Sequence, residues 1–111
     1  MSIPHNVGDF EQLVLLGVLQ LADDAYGAAI RQEIHARSGR DVSINAVYTT
    51  LDRLEQKGLI SSVIGEATPE RGGRAKRHFR ATSKGVRVVR DTQRSLIKLW
   101  KGLPQLKGGE E

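Results

Sequence analysis

Residues 42 to 60 read VSINAVYTTLDRLEQKGLI, and the spacing of their apolar side chains decides the fold. Ile44, Val47, Leu51 and Leu54 recur at intervals of three and four with Tyr48 beside them, the period of a helix that buries one face. Ser43 stands where an N-cap hydroxyl accepts from the first free amides, and Lys57 followed by Gly58 supplies the cation and glycine that end helices. Opposite the stripe lie Asn45, Thr49, Arg53 and Gln56, with Ala46 and Thr50 partly outward. Asn can bond bidentately to adenine, Arg to guanine, and a small residue or a Thr methyl can touch a thymine methyl, so this face has the chemistry of base reading. The ordinary alternative for each residue is a solvated surface position.

Working upstream, Phe10, Leu13, Val14, Gly17, Val18 and Leu21 repeat at helical spacing, and Leu15, Leu16 and Leu19 widen the stripe. A deeply buried first helix is predicted from Asp9, its cap, to Leu21. Ala22, Asp23 and Asp24 interrupt it. A second helix is expected from Tyr26 to Arg37, with Tyr26, Ile30 and Ile34 on one stripe and Ser38 and Gly39 as the stop. Only a short extended piece, Arg40 to Val42, separates it from the third helix, which is the spacing of a helix-turn-helix.

Downstream the period changes. Leu59, Ile60, Val63 and Ile64 form a β-prone run ending at Gly65, turn formers occupy Thr68 to Gly73, and Lys76 to Ala81 reads as the return strand of a hairpin with a long basic tip. Thr82 caps a last helix that Gly102 and Pro104 end. Val86, Gln93 and Trp100 take one set of heptad positions along it, and Val89, Leu96 and Leu103 the other. Five of these six are apolar, which predicts a second subunit packed on the stripe. The alternative is that the stripe folds back on the first helix of its own chain. Gly108 to Glu111 read as a frayed tail.

The composition narrows the function. A chain of 111 residues with net charge +4 corresponds to one domain of ordinary size. Residues 1 to 70 carry net −5 and residues 71 to 111 net +9, and between Arg71 and Arg90 eight basic residues occur with no acidic one. Such a segment suits a polyanion, the plain alternative being a solvated cationic face. With no cysteine, disulfides and zinc ribbons are excluded, as a reducing cytoplasm would have it. No apolar run has the length to span a bilayer, and the first ten residues lack a signal-peptide pattern. His5, His35 and His78 are scattered, without metal-ligand spacing, and no Walker loop or nucleophile elbow is present, so neither a metal, a cofactor nor an enzyme is expected.

The predicted fold is therefore mostly α with a small β-hairpin: a winged helix-turn-helix with a long carboxy-terminal dimerisation helix. Its divisions are a DNA-binding unit over residues 1–81, the dimerisation helix over 82–103, and a tail over 104–111. LVLLGVLQLADDAYGAAIRQEI (Leu13 to Ile34), VSINAVYTTLDRLEQKGLI and TPERGGRAKRHFRATSKG (Thr68 to Gly85) resemble the amino-terminal domain of the PadR transcriptional regulators. The DAYG start of the second helix, the Y-x-x-L-x-x-L-E-x-x-G-L-I signature and the G-G-R wing carry the likeness, over about residues 10 to 90. His78 and Phe79 stand where relatives often have two aromatic residues, and Ala81 where Leu is common, which predicts a looser return strand. The resemblance implies a winged-helix homodimer, usually a bacterial repressor, of the compact branch with a single carboxy-terminal helix. It also implies that Tyr48 contacts a phosphate, and that in some members planar aromatic or drug-like ligands bind between the carboxy-terminal helices.

The expected partners are double-stranded DNA and a second copy of the chain. Ser43, Asn45, Ala46, Tyr48, Thr49 and Arg53 on the third helix, and Arg71, Gly72, Gly73, Arg74, Lys76 and Arg77 in the wing, are the candidate DNA contacts. Ser43 is first a helix cap, and Tyr48 has the alternative of a packed core aromatic. Lys84, Arg87 and Arg90 are ambiguous between phosphate contacts and a solvated helix face. Val86, Val89, Gln93, Leu96, Trp100 and Leu103 are the expected dimer seam. Trp100 has two readings, a stacking surface for a planar aromatic effector or a seam filler. The competing function is a winged helix used as a protein-interaction module, docking its basic half on an acidic partner.

Overall fold

The computed structural model describes residues 7–65 and 76–106. The turn formers Thr68 to Gly73, the wing candidates Arg71, Gly72, Gly73 and Arg74, His5 and the Gly108–Glu111 tail lie outside the described residues. Helix α1 spans Asp9–Leu21, α2 Gly27–Ser38, α3 Ile44–Gln56 and α4 Ser83–Trp100, and strands β1 (Ile60–Ile64) and β2 (Arg77–Ala81) stand between α3 and α4. The strands pair antiparallel from Ile60 opposite Ala81 to Ile64 opposite Arg77. The order and types of element are those the periodicity predicts.

Side chains from every element meet in one core, with Val14, Leu15 and Val18 of α1, Ile30 and Ile34 of α2, Val47, Leu51 and Leu54 of α3, and Phe79 of β2 all buried. Despite the smaller neighbour at Ala81, Phe79 is only 2% exposed. Backbone pairing joins β2 to the residues before α2. Phe79 donates its amide to Ala25 O at 2.8 Å, and Tyr26 and His78 form an isolated bridge, so the residues leading into α2 pair with the outer edge of β2. At the other end Gly85 passes so near Leu59 that an added Cβ would lie 3.1 Å from its carbonyl carbon and closer still to the oxygen. Only glycine lets the start of α4 seat there, while Thr82 accepts from Gly85 N at 3.1 Å and donates to Gly58 O at 2.8 Å.

Several boundaries differ from expectation. Gly8, not Asp9, precedes α1, and the Glu11 carboxylate accepts from its amide at 2.9 Å, while Asp9 pairs with Arg40 at 2.7 Å. Tyr26 lies just outside α2, since its backbone is extended in the bridge to His78. Leu103 falls beyond the end of α4: Lys101 turns extended, Gly102 adopts φ +83°, and Pro104 disfavours helix at the residue before it. A short 3-10 turn, Pro104–Leu106, follows.

The Glu11 carboxylate also receives the Lys57 ammonium at 2.9 and 3.0 Å, which ties the start of α1 to the end of α3. Burial alone would raise the Glu11 carboxyl, but the bonds from Lys57 and the Gly8 amide, together with the Lys57 and Arg53 charges, hold it below the ordinary glutamate value of 4.5. A carboxyl held low in the folded chain contributes stability above that ordinary value and loses it as pH falls through the lower folded value. The stability gap between the wild type and Glu11→Gln is therefore expected to be full near about pH 6 and to close on acidification below about pH 4.5. Thermal melts across that range check it, and a gap that stays constant would refute it.

Candidate nucleic-acid interface

Ser43 caps α3, its Oγ accepting from Ala46 N at 3.0 Å. The helix buries Val47, Leu51 and Leu54 and leaves Asn45, Thr49, Arg53 and Gln56 exposed, with Ala46 half-buried at the margin. The side chains of Asn45, Thr49 and Gln56 make no hydrogen bond to the described residues, so their donors and acceptors are free for a ligand. Thr50 departs from expectation. It is 4% exposed, because it lies on the flank of the stripe beside Val47 and Leu54 and not on the outward side.

Tyr48 is 40% exposed and is not a core aromatic. Its ring lies across the first residue of α2: a Cβ on Gly27 would meet Tyr48 Cε1 at 2.7 Å and overlap the hydroxyl end of the ring. This close approach needs a glycine and sets the phenol beside the amino-terminal end of α2, where amides lack helical acceptors. No side chain caps that end of α2. Phenol and amides together form a donor-rich corner of the kind that accepts phosphate oxygens.

Along the wing, Lys76 and Arg77 differ in their surroundings. The Lys76 ammonium lies 3.8 Å from the centre of the Tyr26 ring, which in turn sits 5.6 Å from the His78 ring. Lys76, Tyr26 and His78 thus gather beside the start of α2. Arg77 turns inward instead. It gives Glu55 a bond of 2.6 Å, reaches Asp52 at 3.5 Å, donates to Ser62 Oγ at 3.2 Å and stacks 5.0 Å from the Phe79 ring centre. No feature of spacing distinguished it from its neighbours, because the carboxylates lie 22 and 25 residues upstream.

Lys84 also has an internal partner, donating to Lys57 O at 3.2 Å at the end of α3, where a cation is favoured. Arg87 and Arg90 are exposed. On α4 only the first half meets the core: Val89 is buried, Val86 and Val88 are half-buried, and every residue from Gln93 to Leu106 is exposed. Leu96 is 53% exposed and Trp100 55%, with Ile97, Leu99 and Leu103 also open. From Gln93 onward the stripe is not covered by α1 or any other described element. A wide groove of about 290 Å³ holds His35 and Asp41, but they make no hydrogen bond to each other and no nucleophile lines it. Among the described residues no three metal-ligating side chains come together, and no helix is long and apolar enough to cross a membrane.

Comparison with known proteins agrees with this geometry. Residues 15–91 match the model of the transcriptional regulator PadR-like family. Transcriptional regulator Rv3488 of Mycobacterium tuberculosis is 38% identical over 88 residues, 78% of each chain. A PadR family regulator from Eggerthella lenta superposes with a TM-score of 0.67 at 29% identity, over 89% of this chain and 84% of that one. One from Clostridium difficile R20291 gives 0.70 at 24% identity, over 89% and 99%, a likeness that shows the fold alone.

The seat of Tyr48 on Gly27 yields a direct check. Gly27→Ala is expected to cost about 1 to 3 kcal/mol, as overpacking does, and most of that cost should vanish when Tyr48 is also replaced by Ala. Denaturant melts of the two single variants and the double variant measure it, and additive losses would show that the two residues do not meet.

Proposed function

The chain belongs to the PadR-like family of transcriptional regulators, and from that premise we propose that it is a homodimeric repressor that reads a pseudo-palindromic operator through α3. The carrying observation is the free outward face of α3: Asn45, Thr49, Arg53 and Gln56 are exposed while the helix is buried on its other side. Family regulators bind DNA, and this face offers the side chains that major-groove recognition uses. Asn45, Thr49 and Arg53 contact bases, with Ala46 admitting a thymine methyl. Ser43, Tyr48 and the start of α2 hold phosphates, and the wing, through Arg71, Arg74 and Lys76 with Gly72 and Gly73 allowing close approach, anchors the adjoining backbone or minor groove.

The free half of α4 supports the second element of the proposal. Apolar side chains exposed over several turns disfavour a lone protomer, and a second copy supplies a matching stripe at Gln93, Leu96 and Trp100, with Val86 and Val89 at its inner end and Leu103 just past the helix. Two-fold pairing sets the two α3 helices in successive major grooves, about 34 Å apart, and occupancy of the site blocks transcription. Trp100 fills the seam in this scheme. Its open ring would also suit a planar aromatic effector, whose preference for another dimer shape would lower DNA affinity.

Gel shifts on fragments that include the chain's own upstream region test the main reading: a specific, salt-sensitive band is expected, and nonspecific binding alone would favour docking on an acidic protein instead. Arg53→Ala is expected to relax preference at one base pair by about 1 to 3 kcal/mol, whereas Arg74→Ala or Lys76→Ala should weaken all sequences alike and reduce the log–log salt slope by roughly 0.9 per lost contact. Leu96→Asp should give a monomer in sedimentation and lose operator binding; a dimer that persists would remove α4 from the interface. Tryptophan fluorescence titrated with planar cations and phenolic acids decides the effector question, with quenching expected only if Trp100 stacks on a ligand.

A further inference from the structure

Helix α3 carries a charge problem for a DNA reader. Between Ile44 and Gln56 it has two carboxylates, Asp52 and Glu55, and one cation, Arg53. Asp52 lies three residues after Thr49 and three before Glu55, so the pair runs from the outward face to its edge. A duplex presents dense negative charge to that face, and like charges facing each other across an interface oppose binding.

The hairpin supplies the counter-charge at that edge. Arg77 and Phe79, two apart on β2, lie on the face turned to α3, and the guanidinium stacks on the Phe79 ring. One nitrogen meets Glu55 Oε1 at 2.6 Å, another reaches Asp52 Oδ1 at 3.5 Å, and Nε donates to Ser62 Oγ at 3.2 Å. Ser62 completes a ring by donating to Glu55 Oε2 at 2.9 Å. The Arg77 and Glu55 side chains are 39% and 35% exposed, so their pairing is less screened than that of a fully solvated pair, while Asp52 at 60% stands toward solvent. A planar fork meets two carboxylates and a hydroxyl at once, and an ammonium cannot reproduce that arrangement.

We propose that Arg77 is a positioning residue for DNA binding: it neutralises Asp52 and Glu55 and braces the wing against α3, and its charge is committed to those carboxylates and not to phosphate. The proposal rests on the reading of α3 as the DNA-contacting helix. Withdrawing Arg77 to a phosphate would leave two carboxylates uncompensated beside the groove. Its loss therefore acts mainly by exposing them.

The test is a thermodynamic cycle on the full-length protein. Wild type, Arg77→Gln, Asp52→Asn with Glu55→Gln, and the combination are compared for operator affinity across a salt series and, without DNA, for thermal stability. Arg77→Gln is expected to weaken binding about tenfold in the wild-type background and less than about twofold where the carboxylates are already neutral, with equal salt slopes in that second pair. In the DNA-free melts its cost should shrink likewise once the carboxylates are gone. An equal loss of affinity in both backgrounds, with the slope reduced by roughly 0.9 in the second, would make Arg77 a phosphate contact and overturn the proposal. Additive effects in the melts would overturn the brace. If Arg77→Gln does not fold, Arg77→Met, which keeps an unbranched stem over Phe79 and removes the charge, replaces it in the same cycle. Failure of the wild type to give a specific band would instead defeat the reading of α3, and the melts would still report on the brace.

Discussion

The backbone hydrogen bond from Phe79 N to Ala25 O at 2.8 Å ties the hairpin to the residues that lead into α2. An isolated two-stranded hairpin is marginal in water, and among the described residues β1 and β2 are the only strands. The bond gives β2 a second neighbour in the residues before α2, and the Phe79 ring lies buried in the core. The close passage of Gly85 over Leu59 then fixes where α4 begins. The position of Lys76 beside Tyr26, the brace at Arg77 and the direction of α4 follow from these two seams, because each depends on where β2 lies against the helices.

Charge is arranged on this frame by location more than by amount. The basic residues from Lys76 to Lys98 lie along the hairpin and α4, yet they are not equivalent once folded. Lys76 stands beside the open end of α2, Arg77 is turned to α3, and Lys84 closes the carboxyl end of α3. A count of cations therefore overstates what is available to a polyanion. The partition suits a reader in which phosphates are held by the wing and helix ends while a weakly charged helix meets the bases, since electrostatic anchoring carries little sequence information. Coupling the wing to α3 through one arginine also makes their relative position a property of the protein before any DNA arrives, which lowers the ordering cost of binding.

Helix α4 divides at about Thr92. Its first turns seal the core with Val88 and Val89, and the rest extends past it with leucines and a tryptophan in the open. A monomer has no surface to offer that half, because α1 meets α4 only near its start. The same helix thus belongs to the fold at one end and to the proposed assembly at the other.

The sequence by itself determined the four helices, the hairpin and their order, because apolar period, the Ser43 and Thr82 caps and the glycines at 39, 58 and 102 are local signals that survive without neighbours. It also determined that Asn45, Thr49, Arg53 and Gln56 would be exposed, since a stripe at 44, 47, 51 and 54 dictates its opposite face. Thr50 is buried against its spacing because a helix flank is decided by the breadth of the surface packed against it, and Leu103 leaves the helix because its spacing yields to Gly102 and Pro104. Only the tertiary structure decided that Tyr48 rests on Gly27, that Glu11 pairs with Lys57, and that Arg77 pairs with Glu55. Those contacts join residues more than twenty positions apart, and a charge or a phenol has no periodicity that reveals its partner; packing of the core sets the distance at which they meet.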